Sequence, residues 1–228
     1  MRPLGHIETR EERAAISVDT RLLEAWERFN AIPHLSGSSA FFYAEEILRP
    51  LRPSLQQLDD LLLRAYGGEN EYLGPFVSAG YQLAPETTIR YSHHTPDLNQ
   101  LGMRLIRKEL IIDGALGDYV GIEMSGDLTI NGTVGKMPGC NMVGSLVING
   151  TTGSHPGLDL VGRLIVKGHE QCGYFEHIGN ANLLIPSELR AEFMADIANP
   201  DHLSSTKLRN QLYYKYKYPL LDQHKRYA

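Results

Sequence analysis

The sequence predicts a parallel β-solenoid flanked by helices. Three observations carry that prediction: an 18-residue self-similarity, apolar columns two residues apart in each copy, and glycines that recur in register. Residues 126–143 read GDLTINGTVGKMPGCNMV and residues 144–161 read GSLVINGTTGSHPGLDLV, with KELIIDGALGDYVGIEMS (108–125) before them and GRLIVKG (162–168) after. Hairpins turning at each Asn-Gly are a rival reading, but hairpins alone require no match at every column of the period.

Stacking the copies makes each column one place on the solenoid cross-section. Leu110, Leu128, Leu146 and Leu164 form one column, and Ile112, Ile130, Ile148 and Val166 form another two residues on, the spacing of a strand with one buried face. Met124, Met142, Leu160 and Ile178 are expected to form a second wall, and Leu183 with Ile185 a fifth rung of the first. Upstream, Leu101-Gly102-Met103-Arg104-Leu105 resembles Val120-Gly121-Ile122-Glu123-Met124 at a spacing of 19, which suggests an incomplete opening coil.

The glycines recur where a side chain would be costly. Gly114, Gly132, Gly150 and Gly168 follow Asp113, Asn131, Asn149 and Lys167 at the strand ends, and Asp/Asn-Gly suits a turn with positive φ. Gly117, Gly135 and Gly153, then Gly121, Gly139 and Gly157, repeat that logic around the coil.

No coil is stable alone, so the ends need covers. A mainly helical region, residues 1–85, is expected to cap the solenoid of residues 86–185, with residues 186–228 forming C-terminal helices and a Tyr/Lys-rich tail. Asp19 or Thr20 caps a helix with Leu22, Trp26 and Phe29 on one face, and Ser39 starts a second running to Leu48. Ser54 and Gln57 make a capping box for a third, with Leu55, Leu58, Leu61, Leu62 and Ala65 as its stripe and Gly67-Gly68 at its end. Downstream, Ser187 begins a helix with Leu189, Phe193 and Ile197, and a last helix from about Ser205 carries Leu208, Leu212 and Tyr216.

Composition narrows the partners. At 42% hydrophobic and 21% charged the 228 residues are ordinary globular material, and 27 acidic against 22 basic residues leave a charge of −5. No nucleic-acid or anionic-membrane partner is expected from that balance. Two cysteines, Cys140 and Cys172, make no disulfide framework, the N-terminus has no signal-peptide pattern, and no apolar run spans a bilayer, so a cytoplasmic protein is expected. The Asn-Gly-Thr sequons at Asn131 and Asn149 read as turns of the repeat.

The spacing Gly-x2-Gly-x3-Gly, as Gly114/Gly117/Gly121, Gly132/Gly135/Gly139 and Gly150/Gly153/Gly157, resembles the GXGXG repeat domain. That domain closes the large subunit of glutamate synthase and forms the core of one of the subunits of formylmethanofuran dehydrogenase. The resemblance covers about residues 105–185 and implies a right-handed parallel β-helix with a non-catalytic, bracing role. It supplies no active-site residue for the repeats. The chain lacks the companion amidotransferase cysteine, an iron–sulfur cysteine set and a phosphate loop, and the glycines are not a dinucleotide fingerprint, so no cofactor is expected.

Departures from the repeat are where chemistry can be grafted. His169, Cys172 and His177 in the fourth coil are candidate metal ligands, although their spacing matches no zinc motif and terminal repeats commonly degenerate against a cap. Glu123, Asn141, Asp159 and His177 share one outward column, a polar stripe in which His177 over Asp159 is the nearest thing to a dyad. Asp118 over Lys136 reads as a surface ion pair, His93-His94 in YSHHTPD as a loop, and Ser36-Gly37-Ser38-Ser39 as a linker or helix lead-in. These readings favour a structural or assembly protein that is a homo-oligomer or a subunit of a larger complex. An accessory subunit of a glutamate-synthase-like or formylmethanofuran-dehydrogenase-like enzyme, or a β-helix enzyme acting on an extended polymer, are the alternatives.

Overall fold

A computed structural model describes residues 17–33, 35–67 and 71–166, together with Ala195. Among the described residues four helices precede two parallel sheets. The helices are α1 (Thr20–Asn30), α2 (Gly37–Leu48), α3 (Leu55–Ala65) and α4 (Leu73–Leu83). Five strands, β1 (Thr88–Tyr91), β3 (Ile106–Ile112), β5 (Ser125–Ile130), β7 (Val143–Ile148) and β9 (Val161–Val166), form one sheet in that order. Four two-residue strands, β2 (His94–Thr95), β4 (Ala115–Leu116), β6 (Thr133–Val134) and β8 (Thr151–Thr152), form the second.

All pairings are parallel, and Leu110, Leu128, Leu146 and Leu164 stand in register, as do Ile112, Ile130 and Ile148. This is the expected β-solenoid with its 18-residue step. It begins one rung earlier than the repeat itself, because β1 lays Ile89 and Tyr91 over Leu110 and Ile112. Tyr91 is fully buried there, and its hydroxyl hydrogen-bonds Thr95 inside the coil.

The expected second wall is buried in the coil but is not a strand. Met124, Met142 and Leu160 are buried, yet they sit on the turn just before each long strand, and the second sheet instead turns Thr95, Leu116, Val134 and Thr152 inward. A single apolar position flanked by turn residues has no period-2 alternation to make it a strand. It lines a third, irregular side of the coil.

Most of the glycines are also needed for another reason than the one expected. Gly114, Gly132 and Gly150 have no left-handed φ, and neither do Gly117, Gly135 and Gly153. A Cβ on Gly132 would collide with the Gly114 carbonyl, and one on Gly150 with that of Gly132. The coils come too close at these corners to admit a side chain. Positive φ belongs to Gly121, Gly139 and Gly157, at 69°, 66° and 63°.

The helices form as their caps dictate. Asp19 accepts from the N–H groups of Arg21 and Leu22, Ser36 rather than Ser39 caps α2, and the Ser54/Gln57 box is complete. Trp26, Phe29 and Phe76 meet at 5.0–5.8 Å and continue the core of the coils without a break. The helix α4, unforeseen in the sequence, lies at that junction and is buried from Leu73 to Tyr81. The fifth rung and the last helix from Ser205 lie outside the described residues, as do Gly68 and Gly168; Ala195, within the helix expected from Ser187, is helical.

Candidate functional site

The polar stripe lies on the third side of the coil, where backbone geometry fixes it. Glu123, Asn141 and Asp159 all have left-handed φ, at 55°, 54° and 56°, and Arg104 joins them at 56°. Short polar side chains tolerate this region best, which suits Asn141 and Asp159. The conformation turns each N–H toward the following coil: Arg104 donates to the Ile122 carbonyl at 3.0 Å, Glu123 to that of Cys140 and Asn141 to that of Leu158, both at 2.8 Å. The neighbouring glycines donate the other way, Gly121 to Leu101 and Gly139 to Val120. Each coil is thereby bonded in both directions.

The stripe is two-ended in charge. Arg104, buried, forms an ion pair with Glu123 and packs its guanidinium 4.8 Å from the centre of the Phe42 ring. Phe42 and Tyr43 are exposed on α2 beside it. Asn141 and Asp159 stand one and two rungs further on, and His177 lies outside the described residues, so its position over Asp159 is not part of this geometry. His169 and Cys172 lie outside them too. Among the described residues no group of three or more His, Cys, Asp or Glu could hold a metal ion.

Other polar side chains are engaged with one another up the stack. Asn131 Nδ2 donates to Asp113 Oδ1 at 2.7 Å, Asn149 Nδ2 to Asn131 Oδ1 at 2.8 Å, and Thr151 Oγ1 to Thr133 Oγ1 at 2.8 Å. The Asn131 hydrogen bond, with the Arg90 ion pair behind it, holds the Asp113 carboxyl below the usual aspartate value against the opposing effect of burial. Asp118 does not act as the ion pair expected: its carboxylate accepts the Lys136 main-chain N–H at 2.7 Å, because the following coil presents backbone there.

Of His93-His94, read as a loop, His93 lies in the connection between two strands and His94 lies in a strand. Tyr91 ends β1, His94 opens β2, and His93 turns the corner between them. Its Nε2 lies 4.0 Å from Asp59 on α3, whose carboxylate also accepts the Tyr81 hydroxyl at 2.9 Å. Burial first, then the Asp59 charge, pushes the Tyr81 hydroxyl well above the ordinary tyrosine value. Three elements therefore converge on one carboxylate at the junction of helices and coils.

Compared with known proteins, the chain matches no family model, no curated protein and no solved structure. The residues that the repeat pattern left out are Arg104 and the cap contacts of α4. Arg104 was within reach, since the spacing of 19 puts it in the Glu123 column; α4 gave no signal, having no side-chain N-cap and apolar residues on all sides. No helix among the described residues is long and apolar enough to cross a membrane.

Proposed function

We propose that this chain is a non-catalytic structural or assembly protein whose solenoid is a rigid scaffold, held as a homo-oligomer or as a subunit of a larger cytoplasmic complex. The observation that carries the reading is the use of polar side chains within the stack: Asp113, Asn131 and Asn149 bond one another, Asp118 bonds the next coil's backbone, and Arg104 pairs with Glu123. Groups so engaged set register and rigidity. The resemblance to GXGXG repeat domains, with a right-handed coil and a bracing role, supports the same reading.

Twofold dimers are the commonest homo-oligomers. The test is recovery of the full chain from its native cells, with mass spectrometry of what accompanies it and sedimentation of the purified protein. A defined set of protein partners or a stable homo-oligomer is expected. A strict monomer that brings nothing down overturns the proposal.

A further inference from the structure

The two Asn-Gly pairs of the repeat carry a chemistry of their own. Asn131-Gly132 and Asn149-Gly150 follow the ends of β5 and β7, both asparagines are exposed, and each lies in the same run, Ile-Asn-Gly-Thr. An asparagine followed by glycine can lose its side-chain amide without an enzyme. The glycine main-chain nitrogen, its proton taken by hydroxide, attacks the asparagine Cγ; a C–N bond forms, and Nδ2 leaves as ammonia with a proton from water, which restores the hydroxide. Water then opens the succinimide ring at either carbonyl, giving aspartate or isoaspartate. Glycine as the next residue leaves the attacking nitrogen unhindered.

Two restraints oppose the attack in the folded chain. The N–H groups of Asn131 and Gly132 donate to the Ile112 carbonyl at 2.7 and 3.2 Å, and those of Asn149 and Gly150 to the Ile130 carbonyl at 2.7 and 3.2 Å, so the proton that must leave is engaged until the corner opens. The second restraint is the side-chain ladder, and there the two places differ. Asn131 is held at both ends of its amide: Nδ2 donates to Asp113 Oδ1 at 2.7 Å, and Oδ1 accepts from Asn149 Nδ2 at 2.8 Å. The first of these bonds goes to a carboxylate, the stronger kind, and the Arg90 ion pair fixes that carboxylate. Asn149 is held at one end. It donates to the preceding coil, and among the described residues its Oδ1 accepts from no side chain.

We infer that Asn149 is a site of spontaneous deamidation, and that the ladder keeps Asn131 out of the same reaction until Asn149 has reacted. The order follows from what the product can do. A carboxylate in place of the Asn149 amide only accepts, so it sets oxygen against Asn131 Oδ1 where Nδ2 had donated. One of the two holds on Asn131 is thereby replaced by repulsion. Isoaspartate also adds a carbon to the main chain at a corner where Gly150 already lies so close to the Gly132 carbonyl that a Cβ would overlap it. The first modification loosens the corner that the second requires.

The experiment ages the full chain at mildly alkaline pH, folded and in urea, and follows each asparagine by peptide mapping with mass spectrometry. In urea the two matching runs are expected to react at one rate. In the folded chain Asn149 is expected to react about tenfold faster than Asn131, the factor that one hydrogen bond of ordinary net strength contributes. Asn149→Asp and, separately, Asp113→Ala are each expected to speed Asn131 by about tenfold, since each removes one of its two holds. The inference is overturned by an Asn131 that reacts as fast as Asn149 in the folded chain, by an Asn149 that stays intact while the unfolded chain reacts completely, or by an Asn131 rate indifferent to either variant; if one variant fails to fold, the other gives the reading.

Discussion

Replacing Gly132 by alanine tests how the coils are held apart. The added methyl would lie far inside the 3.0 Å below which Cβ atoms essentially never approach another atom, and what it meets is the Gly114 carbonyl, a backbone group that no rotamer change can move away. Overpacking of this kind costs about 1–3 kcal/mol, and an immovable neighbour puts the case at the upper end. The narrower unfolded ensemble of alanine returns roughly 0.4–1 kcal/mol. A net loss of about 2 kcal/mol follows, which at an m-value of about 2 kcal/mol/M moves the urea midpoint down by about 1 M. Circular dichroism across a urea series measures it. Gly139 is the contrast, because its φ is 66° and its Cβ would meet only the end of Leu146, at 2.7 Å. There asparagine should be better tolerated than alanine, since it enters the left-handed region more easily; at Gly132 asparagine should be no better. If Gly132→Ala costs under about 0.5 kcal/mol, or Gly132→Asn outperforms it, then turn conformation and not coil contact explains that glycine column.

Thr152→Val should stabilise the fold by about 1 kcal/mol, seen as a raised urea midpoint, because the buried Thr152 hydroxyl has no hydrogen-bond partner among the described residues and Val134 fills the same column one rung earlier. Glu123→Gln should cost about 1–3 kcal/mol by leaving the buried Arg104 charge without its counterion, and adding Arg104→Met should recover much of that loss in the double-mutant cycle. The Asp113 carboxyl is held below its ordinary value of 3.8, so its contribution is present above that pH and is lost as the pH falls through its lowered value. Unfolding of Asp113→Asn, followed from pH 6 to pH 2, should therefore show a flatter acid limb than the wild-type chain; an unchanged slope would remove Asp113 from the account.

The repeat was legible because stacking forces every coil to solve the same problem at the same place. Leu110, Leu128, Leu146 and Leu164 face one interior, and a column of like residues is the trace of it. The opening rung was harder to see, since Ile89 stands 21 residues before Leu110 and Tyr91 replaces an aliphatic residue. Glycine alone does not say whether a position needs unusual torsion or lack of bulk, and Gly132 and Gly139 divide on that point. The stripe of Glu123, Asn141 and Asp159 was found as a column, but its cause is a shared left-handed backbone, which side-chain chemistry hints at only through Asn and Asp. The cap was least legible: Ser78 and Gln82 are common helix residues until they are seen beside the amides of Gly102 and Ile106.

The 18-residue step also makes this molecule a ruler. Length along the solenoid axis grows in whole coils, because a residue more or fewer within a strand would move its inward side chains outward unless a bulge or corner takes it up. The coils also depart from that step where the chain makes room locally: Ile89 stands 21 residues before Leu110, and the 19-residue spacing from Arg104 to Glu123 returns to 18 at a bulge between Ile106 and Lys108, where Arg107 has a φ of 57°. A duplication of residues 126–143 should therefore insert one rung, lengthen the particle by about 4.8 Å, and change nothing at its helical end. Whatever this chain holds apart, evolution can reset the distance in increments of that size.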